Sequence, residues 1–146
     1  MDTIKRDRLF KQQPSVLAAA VRNVSSVELT RLCATLASRL GTSTSVGSTL
    51  VSELNSRRQP VNAANAESDS FNLLDCFRAA RVMPHSRVYV NWNSFEEVDS
   101  IDVNVLATYF SYFWYPKADY IDIFDEDADW VLSIDNDGYP WLVRLP

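Results

Sequence analysis

Two short apolar runs, Trp130 to Asp135 and Tyr139 to Leu145, flank the tetrapeptide Asp135-Asn136-Asp137-Gly138. An Asp-Gly pair between runs of this kind is a strong signal for an antiparallel hairpin. With Asp137-Gly138 as a two-residue turn, Trp130 faces Leu145, Leu132 faces Val143 and Ile134 faces Trp141, all on one side. A slip of two residues preserves that face, whereas a slip of one exposes it. Pro140 has no donor and is expected at an edge or a non-bonded position. Trp130 and Trp141 are expected mainly inside the hairpin core.

Upstream, Arg87 to Trp92 alternates at period two like a half-buried strand, and Tyr120 to Phe124 reads as another. Ser25 and Glu28 have the spacing of a capping box, and Leu29, Leu32, Cys33, Leu36, Ala37 and Leu40 come after it at helical spacing. Gly41 stands where a left-handed cap belongs. Val16 to Val24 suggests another helical stretch. Val46, Leu50 and Leu54 suggest a helix weakened by Gly47. Phe71 to Ala80 suggests a short helix ending before Pro84. Val98, Ile101, Val105, Leu106, Tyr109, Phe110 and Phe113 suggest a helix started by Asp99 and Asp102 and stopped by Pro116.

The expected fold is α+β: N-terminal helices, then a small mainly antiparallel sheet with one packed helix and a C-terminal hairpin. At 146 residues and 47% hydrophobic, the chain has one domain's length and can bury about two thirds of its unfolded surface. Collagen-like, disulfide-scaffold and wholly disordered classes are excluded. Within the single domain 1–146, residues 1–58 read as helical, 59–70 as a linker or loop, and 71–146 as an acidic α+β half. Residues 1–15 are charged and expected to be frayed or loosely docked. No apolar run near the start is longer than Val16 to Val21, too short for a secretory core or a bilayer span, so a soluble cytoplasmic protein is expected. Cys33 and Cys76 read as reduced, buried residues of two different helices.

Charge is unevenly placed. Met1 to Asn91 holds 12 Lys or Arg against 7 Asp or Glu, net +5, while Trp92 to Pro146 holds 2 against 12, net −10. Eight carboxylates lie between Lys117 and Asp137. A field of one sign speeds encounter with a basic partner, and aromatic residues inside it can anchor an interface. The candidate contact residues are Asp122, Asp125, Glu126, Asp127, Asp129, Asp135, Asp137 and Tyr139.

No catalytic constellation emerges. Asp125, Asp127 and Asp129 mimic the first three ligands of an EF-hand, but Trp130 takes the place of the turn glycine and Asn136 falls at the twelfth position. Zinc would need the lone His85 with both cysteines and a carboxylate, and no short spacing supports that. His85, straight after Pro84, reads as an exposed turn residue. No metal, cofactor or enzymatic activity is expected. A rival reading takes residues 29–58 as a helix-turn-helix, with Thr44, Ser45 and Ser48 facing the major groove and Arg57 and Arg58 meeting phosphates.

From Tyr109 to Leu142, the aromatic helix end, Tyr-Pro, Asp-Tyr-Ile-Asp-Ile-Phe-Asp, Trp-Val-Leu-Ser-Ile-Asp and Asp-Gly resemble small bacterial immunity-type proteins, encoded beside polymorphic or contact-dependent toxins. Asn136 stands where similar proteins often carry histidine before the Asp-Gly turn. The resemblance implies a stoichiometric inhibitor, and the charge split gives the expected mode of action: an acidic, aromatic face that masks a basic protein partner, such as a toxin nuclease, by imitating phosphates.

Overall fold

The computed structural model describes residues 1–12 and 19–146. Its elements are α1 (Thr3–Gln12), β1 (Val21–Asn23), α2 (Ser26–Leu40), α3 (Gly47–Arg57), β2 (Gln59–Pro60), α4 (Leu73–Ala80), β3 (Arg87–Asn93), β4 (Glu97–Asp102), α5 (Val103–Thr108), α6 (Phe110–Phe113), β5 (Ile121–Phe124), β6 (Trp130–Ile134) and β7 (Pro140–Arg144). The fold is α+β. One seven-stranded sheet has the order β1-β4-β3-β5-β6-β7-β2, and each of its pairings is antiparallel. Both of its outermost strands come from the first sixty residues, so the N-terminal part of the chain closes the sheet at either side.

Helices cover both faces. Val88, Val90, Ile121, Ile123, Trp130, Leu132 and Ile134 point into a core shared with Leu9 of α1, Phe77 of α4, Leu106 of α5 and Phe113 of α6. Their sequence neighbours Tyr89, Phe124 and Val131 point into a second core with Leu32, Leu36 and Leu40 of α2 and Leu50 and Leu54 of α3. Strict alternation therefore places apolar residues on both sides of the sheet, and all five residues of β6 are buried. This is why β3 is buried on two faces instead of one.

α2 forms as its sequence predicts. The Ser25 hydroxyl accepts from the Glu28 amide at 3.2 Å, and Gly41 ends the helix at φ 69°. The Glu28 carboxylate does not return to the cap: it takes Arg22 at 2.8 Å and the Tyr89 hydroxyl at 3.0 Å. Gly47 opens α3 rather than interrupting it, and a Cβ there would lie 1.7 Å from the Ser94 carbonyl oxygen. α4 starts at Leu73, two residues later than expected, with Asn72 as its cap.

Three expectations are corrected. Residues 13–18 lie outside the described residues, but Val21–Asn23, expected to be helical, pairs with β4 as strand β1. Val98 and Ile101 belong to strand β4, not to a helix, and Asp102 alone caps α5, accepting from Asn104 at 2.9 Å and Val105 at 3.1 Å. α1, expected to be frayed, is docked along Met1, Lys5 and Leu9, a stripe at helical spacing whose members are all buried. Its buried Lys5 is matched by the Asp119 carboxylate, the Phe113 carbonyl at 3.3 Å and the rings of Trp92 and Tyr115. A buried ammonium survives only with such partners, and composition alone did not disclose them.

The hairpin register also differs from expectation by one residue. Trp130 pairs with Arg144, Leu132 with Leu142 and Ile134 with Pro140. The turn is a three-residue loop, with Gly138 left-handed at φ 84°. Gly138 donates to the Asp135 carbonyl at 3.0 Å and Asp135 to the Tyr139 carbonyl at 3.1 Å. Because β6 is buried on both faces, its apolar pattern does not oppose the slip. Pro140 begins β7, a position that needs no donor. Trp130 is buried in the first core, and Trp141 is half-buried under the Arg58 guanidinium.

Candidate functional site

Although crowded in sequence, the eight carboxylates do not share one surface. β6 carries the β5–β6 turn at one end and the β6–β7 loop at the other, and five residues of strand hold them about 16 Å apart. Asp125, Glu126, Asp127 and Asp129 sit at the first end, Asp135, Asp137 and Tyr139 at the second. Asp119 lies apart from both, bound to Lys5.

Two expected contact residues are interior. Asp122 is 2% exposed and accepts from the Ser133 hydroxyl at 2.6 Å and the Asn91 amide at 2.9 Å. Burial pushes its pKa up, against those two hydrogen bonds. Asp125 is also 2% exposed. Its Oδ1 accepts from the Asp127 amide at 3.2 Å and its Oδ2 from the His85 amide at 3.4 Å, so it fixes backbone instead of meeting a partner. Alternation along β5 turns Asp122 inward, and the left-handed Ala128, with its methyl buried, folds the turn over Asp125.

Around that buried carboxylate the other acids project. Glu126, Asp127 and Asp129 have side chains 61%, 54% and 57% exposed. His85, carried on the connection from α4 to β3, reaches two of them: Nδ1 lies 3.4 Å from Glu126 Oε1 and Nε2 lies 2.8 Å from Asp127 Oδ2. The neighbouring Asp125, Asp127 and Glu126 carboxylates raise the imidazole pKa. Desolvation raises that of Asp125, and the His85 charge opposes it. One ligand atom each from His85, Asp125 and Asp127 lies within 4.8 Å of the others. Asp129 is turned away to Arg39 at 3.0 Å, so the EF-hand-like triplet does not converge. Cys33 and Cys76 are free thiols buried in separate cores, away from His85 and its carboxylates.

At the opposite end, Asp135 is taken up by its own loop. Its carboxylate accepts from the Asp137 and Tyr139 amides at 3.0 and 2.9 Å and from the Trp141 indole at 2.8 Å. Asp137 pairs with Lys117 at 2.7 Å, and Lys117 also holds Glu67 at 3.2 Å. Tyr139 is exposed.

The split between a basic and an acidic half is used largely inside the molecule. Arg6 and the Met1 ammonium meet Asp99, Lys5 meets Asp119 and Arg39 meets Asp129. The arginines assigned to phosphates in the helix-turn-helix reading are also engaged. Arg57 donates to the Leu40 carbonyl at 2.8 Å, and Arg58 lies over Trp141 and donates to the Tyr120 hydroxyl at 3.2 Å. The segment from Gly41 to Val46 that joins α2 to α3 is six residues long, with Ser45 exposed and Thr44 half-buried, and Ser48 is exposed in the first turn of α3.

No family model, no curated protein and no solved structure matches this chain. Among the described residues, no helix is long and apolar enough to cross a membrane. His85, read from the sequence as an exposed turn residue, is exposed, but its place among these carboxylates was not expected. It lies forty positions before Asp125, and only the pairing of β3 with β5 brings the two segments together.

Proposed function

We propose that the protein is an immunity-type binding protein that neutralises a basic protein partner, such as a toxin nuclease, with the exposed carboxylates of its β5–β6 turn. The observation that carries this reading is the pre-organised turn: buried Asp125 pins the backbone while Glu126, Asp127 and Asp129 stay accessible. Charges held on a rigid element bind without first losing conformational freedom, and they steer a partner of opposite sign. A nuclease surface built for phosphates accepts carboxylates in the same places. The β6–β7 loop contributes Asp137 and the exposed Tyr139 only to a partner large enough to span the sheet, with Asp135 as their internal support. The reading assigns the protein to the cytoplasm, with no cofactor and no catalytic step of its own.

The test is capture from a cell lysate on immobilised protein, followed by elution with rising salt. A basic protein should bind and elute as salt screens the contact. The triple variant Glu126→Lys, Asp127→Lys, Asp129→Lys should lose it. Undiminished capture by that variant, with the same salt dependence, overturns the proposal.

A further inference from the structure

A second capacity of the β5–β6 turn is independent of any protein partner. We propose that His85 Nε2 and the carboxylates of Asp125 and Asp127 form a binding site for a divalent transition cation of the Zn²⁺ class, with Glu126 orienting the imidazole. One ligand atom from each of the three residues already lies within 4.8 Å of the others, and Nε2 is 2.8 Å from Asp127 Oδ2. Metal–ligand bonds of about 2.0–2.2 Å place neighbouring ligands about 3 Å apart, so small side-chain rotations suffice.

Ligand chemistry selects the ion class. An imidazole beside two carboxylates, with no thiolate, suits zinc and its first-row neighbours, whereas calcium needs six to eight oxygens. The second nitrogen of His85 is provided for as well. Glu126 Oε1 lies 3.4 Å from Nδ1, and a small rotation that lets it accept that N–H would leave Nε2 as the ligating atom. Carboxylate, histidine and metal then form a line in which the outer partner sets the ring tautomer.

A different observation points to a cation at the same place. Asp125 is almost wholly buried, yet the partners of its carboxylate are two backbone amides at 3.2 and 3.4 Å, and no side-chain donor reaches it among the described residues. Asp122, equally buried, has two close side-chain donors. Each Asp125 oxygen accepts from one amide and keeps a second lone pair, and a dication beside Asp125 and Asp127 adds the positive charge that two neutral amides do not supply. His85 and Asp127 are both exposed at their outer side, so water can complete the coordination shell. The ligands belong to two segments forty residues apart, and one ion would join the α4–β3 connection to the β5–β6 turn.

The test is calorimetric titration of ZnCl₂ into the chelator-washed full chain, without a protein partner. One Zn²⁺ per chain should bind, with a Kd on the order of micromolar for three protein ligands. His85→Ala and Asp127→Asn should each weaken binding at least 100-fold, Glu126→Gln about tenfold, and Asp129→Asn not at all. His85 is on the surface, so its replacement keeps the fold, which circular dichroism verifies. In the nitrogen NMR spectrum of the imidazole, Zn²⁺ should move Nε2 far more than Nδ1. The proposal is overturned if the wild type shows no saturable Zn²⁺ binding, if His85→Ala binds as the wild type does, or if Ca²⁺ binds as tightly as Zn²⁺. Loss of partner capture with metal binding intact would overturn only the partner reading, and the converse only this one.

Discussion

The two acidic loops at the ends of β6, Asp125 to Asp129 with four carboxylates and Asp135 to Tyr139 with two, put their charge to opposite uses. In the β6–β7 loop the charge is inward work: Asp135 satisfies two amides and an indole, Asp137 is tied to Lys117, and glycine takes the left-handed position. In the β5–β6 turn one buried carboxylate, Asp125, does the holding, and alanine takes the left-handed position because its methyl fills the second core. Three further carboxylates are left projecting there beside a histidine. A count of acids does not explain the difference; the number of internal donors each carboxylate serves does.

The contrast can be broken by mutation. Asp135→Ala leaves three donors without an acceptor and should cost about 3 kcal/mol in urea unfolding, the largest effect of the set. A cost no greater than that of Glu126→Gln would erase the distinction. Gly138→Ala should cost about 2 kcal/mol, because φ is 84° and the new Cβ would lie 2.3 Å from Asn65 Oδ1. Ala128→Gly should be close to neutral in the same assay: relief of about 1 kcal/mol of left-handed strain offsets the loss of one buried methyl, about 0.8 kcal/mol.

Smaller and pH-dependent is the contribution of Asp122. Burial raises its pKa above the ordinary 3.8, so the folded chain keeps a proton that the unfolded chain has already released. Between those two values the native state binds more protons, and the stability contribution falls as pH rises through that window. Asp122→Asn should remove this component, seen as a difference in slope between the two proteins from about pH 4 upward. Equal slopes would show that the carboxyl titrates alike in both states. Smallest of all, Glu126→Gln and Asp127→Asn should each change stability by less than about 0.5 kcal/mol, since their side chains are mostly in water.

Local signals proved readable where one residue type answers one local need. Ser25 caps α2 and Gly41 ends it because a helix start needs an acceptor and its end a left-handed residue. The buried cysteines and the strands β3, β5, β6 and β7 were legible from apolar spacing in the same way. β4 was not, because Val98 and Ile101 are three apart as on a helix, and the buried Asp99 and Ser100 between them erase the alternation of a half-buried strand. Those polar residues are tolerated only through distant partners: Asp99 by the Met1 ammonium, Arg6 and Trp92, and Ser100 by Arg87. The candidate site was half legible. Glu126, Asp127 and Asp129 are the surface acids expected, while Asp122 and Asp125 became interior supports and His85 joined from afar.

The sequence by itself determined the α+β class, the capped helix α2, the hairpin's location and the imbalance of charge between the two halves. Each of these depends on contacts within a few residues or on a count along the chain. Tertiary structure alone decided the hairpin register, the docking of α1, and which carboxylates face water. A strand buried on both faces carries no preferred register in its apolar pattern, and a charged side chain reveals its burial only through the partner that makes it tolerable. Those partners, Asp119 for Lys5 and Arg6 for Asp99, lie far away in sequence and meet only in the packed structure.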